Sequence, residues 1–124
     1  MRVPLDDFEG LVEEAIAGLP AEFRRHMENV MVEVERRPSR RLLDEQEVPP
    51  GETLLGFYDG VPLTDKSVED IAEMPERILI FKEPIESCCR TREEIVREVR
   101  RTVLHEIGHH FGMDEDELDE LGYG

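Results

Sequence analysis

The sequence has few cysteines and no long apolar run. Its two cysteines, Cys88 and Cys89, are adjacent, so they lack the spacing of a zinc knuckle and could form a mutual disulfide only with strain. We expect a reduced, partly buried pair. No segment approaches the roughly 18 apolar residues of a membrane helix. The first residues also lack the apolar segment of a signal peptide. We therefore expect a cytoplasmic protein that does not contact a membrane.

Positive charge is also scarce. Fifteen Lys and Arg residues stand against 31 Asp and Glu, which gives a formal net charge of −16. Binding to a phosphate backbone needs a basic face that releases counterions, so the composition argues against a nucleic-acid partner. The cations comprise 13 Arg and 2 Lys, which favours bidentate surface pairs with carboxylates. A length of 124 residues fits a single domain, residues 1–124, with a modest core.

Apolar periodicity predicts helices towards both ends of the chain and strands between them. Residues 5–18 form an amphipathic pattern closed by Gly18 and Pro20, and a short helical turn is expected at residues 22–26. Three β-rich segments are predicted as strands: residues 30–35, 53–58 and 78–81. The last is a continuous apolar run, which is typical of a strand buried on both faces. The polar segment 36–51 is predicted to be a loop.

The strongest helical signal lies in the last third of the chain. Thr91 and Glu94 have the spacing of a capping box, and Gly112 can provide a left-handed C-terminal cap. At 100° per residue, one face of this helix is apolar and is predicted to face the core: Ile95, Val96, Val99, Val103, Ile107 and Phe111. His105 and His109 fall on the opposite, solvent-facing side, beside Thr102.

His105 and His109 are predicted to bind one divalent metal ion, most readily zinc. Residues four apart lie one above the other on a helix, so two imidazoles can converge on one ion. Zinc accepts nitrogen ligands in a tetrahedron, and a catalytic site keeps one position open for water. Glu106 lies between the histidine face and the core edge, where it can act on that water as a general base. The competing interpretation is a pair of ordinary surface histidines, but His-Glu-x-x-His is uncommon by chance in so short a chain.

His110 falls within the apolar stripe of the same helix. It is therefore predicted to be a buried or half-buried histidine with one backbone partner. The alternative is that it orients one of the metal ligands.

The segment His-Glu-Ile-Gly-His-His-Phe-Gly-Met-Asp-Glu at residues 105–115 resembles the extended motif of zincin-like metallopeptidases. Residues 56–64 and 19–23 are also similar to the small bacterial members of this family, sometimes called minimal metallopeptidases. The resemblance implies an α+β, zincin-like single domain. Its small sheet of about three to four strands would pack against an active-site helix, with flanking helices around it.

The resemblance also implies a third ligand three residues after Gly112, at Glu115. The related Asp-type zincins have Asp at this position, and Glu is one methylene longer. Asp114 and Asp116 are alternatives, although Asp114 is also a good N-cap for a following helix. Twelve residues of this sequence follow Gly112, so we do not expect the substrate subdomain of larger relatives. The peptidase activity is therefore expected to be weak, narrow in substrate or absent.

Together these features predict a zinc-dependent metallopeptidase with one Zn²⁺ ion, Glu106 as general base, and a peptide or protein substrate. Manganese or cobalt would also accept such ligands. Tyr58 or Tyr123 is considered as a donor to the developing oxyanion. One alternative is a zinc-binding protein without turnover that acts as an interaction or regulatory module. Another is a purely structural metal site. The sequence does not indicate an oligomeric state.

Overall fold

The computed structural model describes residues 1–60, 76–110, 112 and 116, and these contain five helices and three strands. In chain order the elements are α1 (Leu5–Ala17), α2 (Ala21–Met27), β1 (Val30–Glu35), α3 (Arg40–Glu45), β2 (Gly56–Asp59), β3 (Glu76–Phe81), α4 (Lys82–Ser87) and α5 (Arg92–His110). The predicted α+β class is confirmed.

The three strands form one mixed sheet with β3 at its centre. β1 pairs with β3 in parallel, and β2 pairs with β3 antiparallel. Four consecutive residues of β3 are buried, as predicted from their apolar run: Ile78, Leu79, Ile80 and Phe81. β2 is shorter than predicted and shifted along the chain. Its register with β3 begins at Gly56, and before that the Leu55 carbonyl accepts one hydrogen bond from the Phe81 amide at 3.0 Å.

The core lies between one face of the sheet and the helices α1 and α5. Five residues of the predicted apolar stripe on α5 are buried in it: Ile95, Val96, Val99, Val103 and Ile107. Phe111, the sixth, lies outside the described residues. Leu104 is completely buried as well. The stripe is wider than predicted because α5 contacts both α1 and the sheet.

Two short helices were missed by the sequence analysis. α3 lies within the segment predicted as a loop. That prediction was wrong because Ser39 caps the helix, its hydroxyl accepting a hydrogen bond from the Leu42 amide at 3.0 Å. α4 directly follows β3 and contains Pro84 in its first turn, where the missing amide hydrogen costs no helical hydrogen bond.

α5 is tied to α1 by Arg100. The Arg100 Nε donates a hydrogen bond to the Ala15 carbonyl at 3.0 Å, at the C-terminal end of α1. This guanidinium complements the negative end of the α1 dipole, and α1 has no basic residue in its own last turn. The contact fixes the middle of α5 relative to the rest of the core.

Neither cysteine forms a disulfide, as predicted. Cys88 is exposed and Cys89 is buried. Burial, together with the adjacent Cys88 thiol, raises the pKa of Cys89 to about 12, so this thiol stays protonated at neutral pH.

No helix in the described part of the chain combines the length and apolar character needed to cross a membrane.

The predicted cap of α5 is confirmed, with one difference in detail. The Thr91 hydroxyl accepts a hydrogen bond from the Glu94 amide at 3.0 Å. The Glu94 carboxylate accepts in return from the Arg90 amide at 2.6 Å, one residue before the position that a standard capping box uses. At the other end, Gly112 has φ = 80°, the left-handed conformation that glycine adopts readily.

Replacing Thr91 with Ala should lower the free energy of unfolding by about 1 kcal/mol, because the Glu94 amide loses its acceptor. Thr91→Ser keeps the hydroxyl and should stay close to wild type. Urea unfolding followed by circular dichroism measures both variants. Equal stabilities for the Ala and Ser variants would show that the cap contributes nothing.

Candidate active site

The two histidines of the motif lie on neighbouring turns near the end of α5. Their ring centroids are 6.0 Å apart, and their planes are inclined by 42°. Two imidazoles that bind one tetrahedral ion at about 2 Å have centroids roughly 5 Å apart. A small ring rotation would therefore let His105 and His109 share an ion. His105 is half-buried and His109 is exposed.

The candidates for the third metal ligand follow the end of α5. Glu115 and the alternative Asp114 both lie outside the described residues. Asp116 is described and exposed. Within residues 1–60, 76–110, 112 and 116, no three His, Cys, Asp or Glu side chains are grouped closely enough to hold a metal ion. His105 and His109 are thus two nitrogen donors that need at least one further ligand.

Glu106 is half-buried and is held by strand β2. Its Oε2 accepts a hydrogen bond from the Tyr58 amide at 3.3 Å. Burial raises the pKa of Glu106 above its usual value, while the Tyr58 amide and the nearby His109 and His105 act in the opposite direction. The result is a fixed carboxylate of increased basicity beside the histidine pair. These are the properties that a general base requires.

β2 approaches α5 very closely at Gly56. A Cβ atom at this position would lie 2.6 Å from the Thr102 Cγ2 and 3.1 Å from the Leu79 carbonyl oxygen. Only glycine allows this approach. Thr102 is consequently buried. The prediction that it lies on the solvent-facing side of the helix with the histidines was therefore wrong. The strand covers this turn of the helix, and the same contact brings the Tyr58 amide to Glu106.

A cleft of about 350 Å³ runs between α5 and the segment that leads into β2. One wall consists of residues 53–56, and the other is a stripe of α5: Glu98, Arg101, Thr102, His105 and Glu106. The cleft therefore leads to the candidate metal ligand His105 and the candidate base Glu106. Sequence analysis did not single out Glu98 and Arg101, although their spacing from His105 places them on the same helical face.

Tyr58 also holds the end of α5 through its side chain. Its hydroxyl donates a hydrogen bond to the Glu76 carboxylate, and its ring stacks on His110 with centroids 4.1 Å apart. His110 Nε2 lies 3.7 Å from Glu76 Oε1. His110 is half-buried, as predicted, and it contacts both an aromatic ring and a carboxylate.

These contacts argue against Tyr58 as the oxyanion donor. Burial and the Glu76 carboxylate raise the pKa of Tyr58, and its hydroxyl proton is already donated to Glu76. The other candidate donor, Tyr123, lies outside the described residues.

A His-Glu-x-x-His pattern on a helix packed against a small mixed sheet is the architecture of a zincin-like protein. A sequence model of the family of zincin-like metallopeptidases matches residues 27–124, and the chain belongs to this family. The structure is similar to that of a conserved hypothetical protein from Thermus thermophilus, with a TM-score of 0.56 and 25% sequence identity. The alignment covers 96% of this chain and 97% of that protein. A search of the curated proteins finds no match.

The close contact between Gly56 and Thr102 can be tested by a double-mutant cycle. Gly56→Ala should destabilise the protein by about 1–3 kcal/mol, because the new methyl group overlaps the Thr102 side chain. Thr102→Ser removes the methyl group that is in the way, so the double variant should recover about 1 kcal/mol of that loss. Urea unfolding gives all four free energies.

Gly10→Ala is the matched control, since a Cβ atom at Gly10 in α1 would meet nothing within 4 Å. It should leave the stability unchanged or raise it by up to about 1 kcal/mol. Additive effects of Gly56→Ala and Thr102→Ser would contradict this packing.

Proposed function

We propose that this protein is a zinc-dependent peptidase in which His105, His109 and Glu115 bind the metal ion and Glu106 is the general base. The observation that carries the proposal is the position of Glu106. Glu106 is half-buried, its carboxylate accepts a hydrogen bond from the Tyr58 amide, and it lines a cleft together with His105, one of the two histidines. Two ordinary surface histidines on a helix would not need a half-buried, hydrogen-bonded carboxylate beside them, so this arrangement favours an active site.

The described residues fit a zinc ion in part, since His105 and His109 supply two nitrogen donors on one helical face. When bound, zinc would act as a Lewis acid on a peptide carbonyl and lower the pKa of a water molecule towards neutrality. Glu106 takes the proton of the attacking water and passes it to the leaving amine. The Tyr58 amide keeps the carboxylate pointed at the reacting groups during both transfers.

The sheet offers a place for an extended substrate. β2 is an edge strand of the described sheet, and the segment leading into it forms one wall of the cleft. A peptide that adds to the backbone groups of this edge would lie along the cleft, beside His105 and Glu106. Backbone pairing of this kind is largely independent of sequence, so the side chains that line the cleft would set the specificity.

The role of Glu106 is tested by replacing it with Gln, which keeps the shape of the side chain and removes its basicity. Glu106→Gln should lower kcat for a cleaved peptide by about 10²–10⁴-fold. Zinc content, measured on purified protein, should remain at the wild-type level, because Glu106 is not a ligand. Glu13→Gln makes the same chemical change on the exposed surface of α1 and should leave both quantities unchanged.

Each deviation from this result has a distinct meaning. Full activity in Glu106→Gln would show that Glu106 is not the base. Loss of zinc would show that Glu106 is a ligand. Bound zinc without cleavage of any peptide by the wild-type protein would favour the zinc-binding interaction module. A sharp fall in melting temperature on chelation, again without cleavage, would favour a structural metal site.

The ligand assignment is tested by alanine variants and direct zinc titration. His105→Ala and His109→Ala should each weaken zinc binding by at least about 100-fold, since each removes one of three protein ligands. Glu115→Ala should have a comparable effect, whereas Asp114→Ala should have a small one. The exposed His26 on α2 provides the control, and His26→Ala should bind zinc like the wild type. A larger loss in Asp114→Ala than in Glu115→Ala would reverse the assignment of the third ligand.

A further inference from the structure

The cleft beside the candidate active site contains one guanidinium group, that of Arg101. Arg101 precedes His105 by four residues, so its side chain begins one helical turn away on the same face. Apart from His105, it is the only basic side chain among the described residues that line the cleft. Any negatively charged group that enters the cleft next to His105 therefore meets Arg101.

Arg101 is available to a ligand. Its side chain is exposed, and its guanidinium makes no ion pair or hydrogen bond with any other described residue. Arg77 differs in this respect, since Asp59 and Glu33 hold its guanidinium at 2.7 and 2.8 Å. No existing ion pair within the described residues would have to break before Arg101 could bind a carboxylate.

We propose that Arg101 is a specificity residue that binds a carboxylate of the substrate, located one or two residues from the scissile bond. An extended peptide rises about 3.3 Å per residue, and one turn of helix covers about 5.4 Å. A peptide group held at His105 and Glu106 thus places a carboxylate one or two residues away within reach of Arg101. The planar guanidinium can bind that carboxylate through two parallel hydrogen bonds.

The net charge of the whole protein makes a single cation in the cleft important for the choice of substrate. With a formal net charge of −16, the surface repels acidic peptides in general. A carboxylate is accepted in the cleft only where a local cation offsets this repulsion. Glu98 lines the same cleft three residues before Arg101, and its negative charge opposes the entry of a carboxylate. Removing the Glu98 charge should therefore strengthen the binding of an acidic peptide.

The carboxylate has two chemical sources, an acidic side chain or the C-terminus of a peptide. The probes are fluorescently labelled hexapeptide pools with one position fixed as Glu or Gln, each made with a free and an amidated C-terminus. They are titrated by fluorescence anisotropy against zinc-loaded Glu106→Gln protein. This inference rests on the proposed function, because only that function makes the bound peptide a substrate. The titration itself measures binding and needs no turnover.

The carboxylate-bearing pools should bind about tenfold more tightly than the amidated Gln pools, as one additional charge-assisted contact implies. Adding Arg101→Gln should abolish this preference. Adding Arg97→Gln, which removes the same charge from an exposed position one turn earlier on α5 and outside the cleft, should preserve it. A preference that follows the fixed Glu identifies a side chain, and one that follows the free C-terminus identifies the terminal carboxylate.

Equal binding of all pools, or a preference that survives Arg101→Gln, would overturn the inference. These outcomes are distinguishable from failure of the proposed function. Binding that depends on Arg101, without hydrolysis by the wild-type protein, would contradict the peptidase alone. Hydrolysis that depends on Glu106, with no carboxylate preference, would contradict the role of Arg101 alone. Because Arg101 is exposed, its variant is expected to unfold at the wild-type urea concentration, which checks that the fold is intact.

Discussion

The close approach of β2 to α5 is the constraint on which the rest of the site depends. Gly56 lets the strand rest against Thr102 without a side chain between them. Two residues later the Tyr58 amide reaches the Glu106 carboxylate, and the Tyr58 ring covers His110. One short strand therefore positions the candidate base, forms a wall of the cleft and holds the last turn of the helix that carries both histidines.

Charge and burial have separate roles in this arrangement. The surface carboxylates of this acidic protein remain hydrated, and several form ion pairs with arginines, so their charges cost little free energy. Glu106 differs because it is partly removed from water, which raises its pKa, and the Tyr58 amide counters only part of that cost. The fold thus distinguishes this carboxylate from those on the surface by desolvation.

Much of this could be predicted from the sequence because the signals were local. The periodicity of α5, the Thr91 cap and the buried run of β3 each arise within a few residues, and the structure confirms them. The burial of Thr102 and the cleft at Arg101 could not be predicted in this way. Both depend on which strand packs over the helix, and that is a long-range contact. α3 was missed because its stabilising cap at Ser39 lies in a polar segment without apolar periodicity.

We propose that α5 supplies two ligands of a zinc ion and that β2 holds Glu106 beside the ion without letting it bind. The most direct measurement is anomalous diffraction at the zinc absorption edge from crystals of the zinc-loaded protein. This arrangement predicts one peak within bonding distance of the His105 and His109 imidazoles, with the Glu106 carboxylate near but not bound to the ion. A peak elsewhere, or Glu106 as a direct ligand, would contradict it.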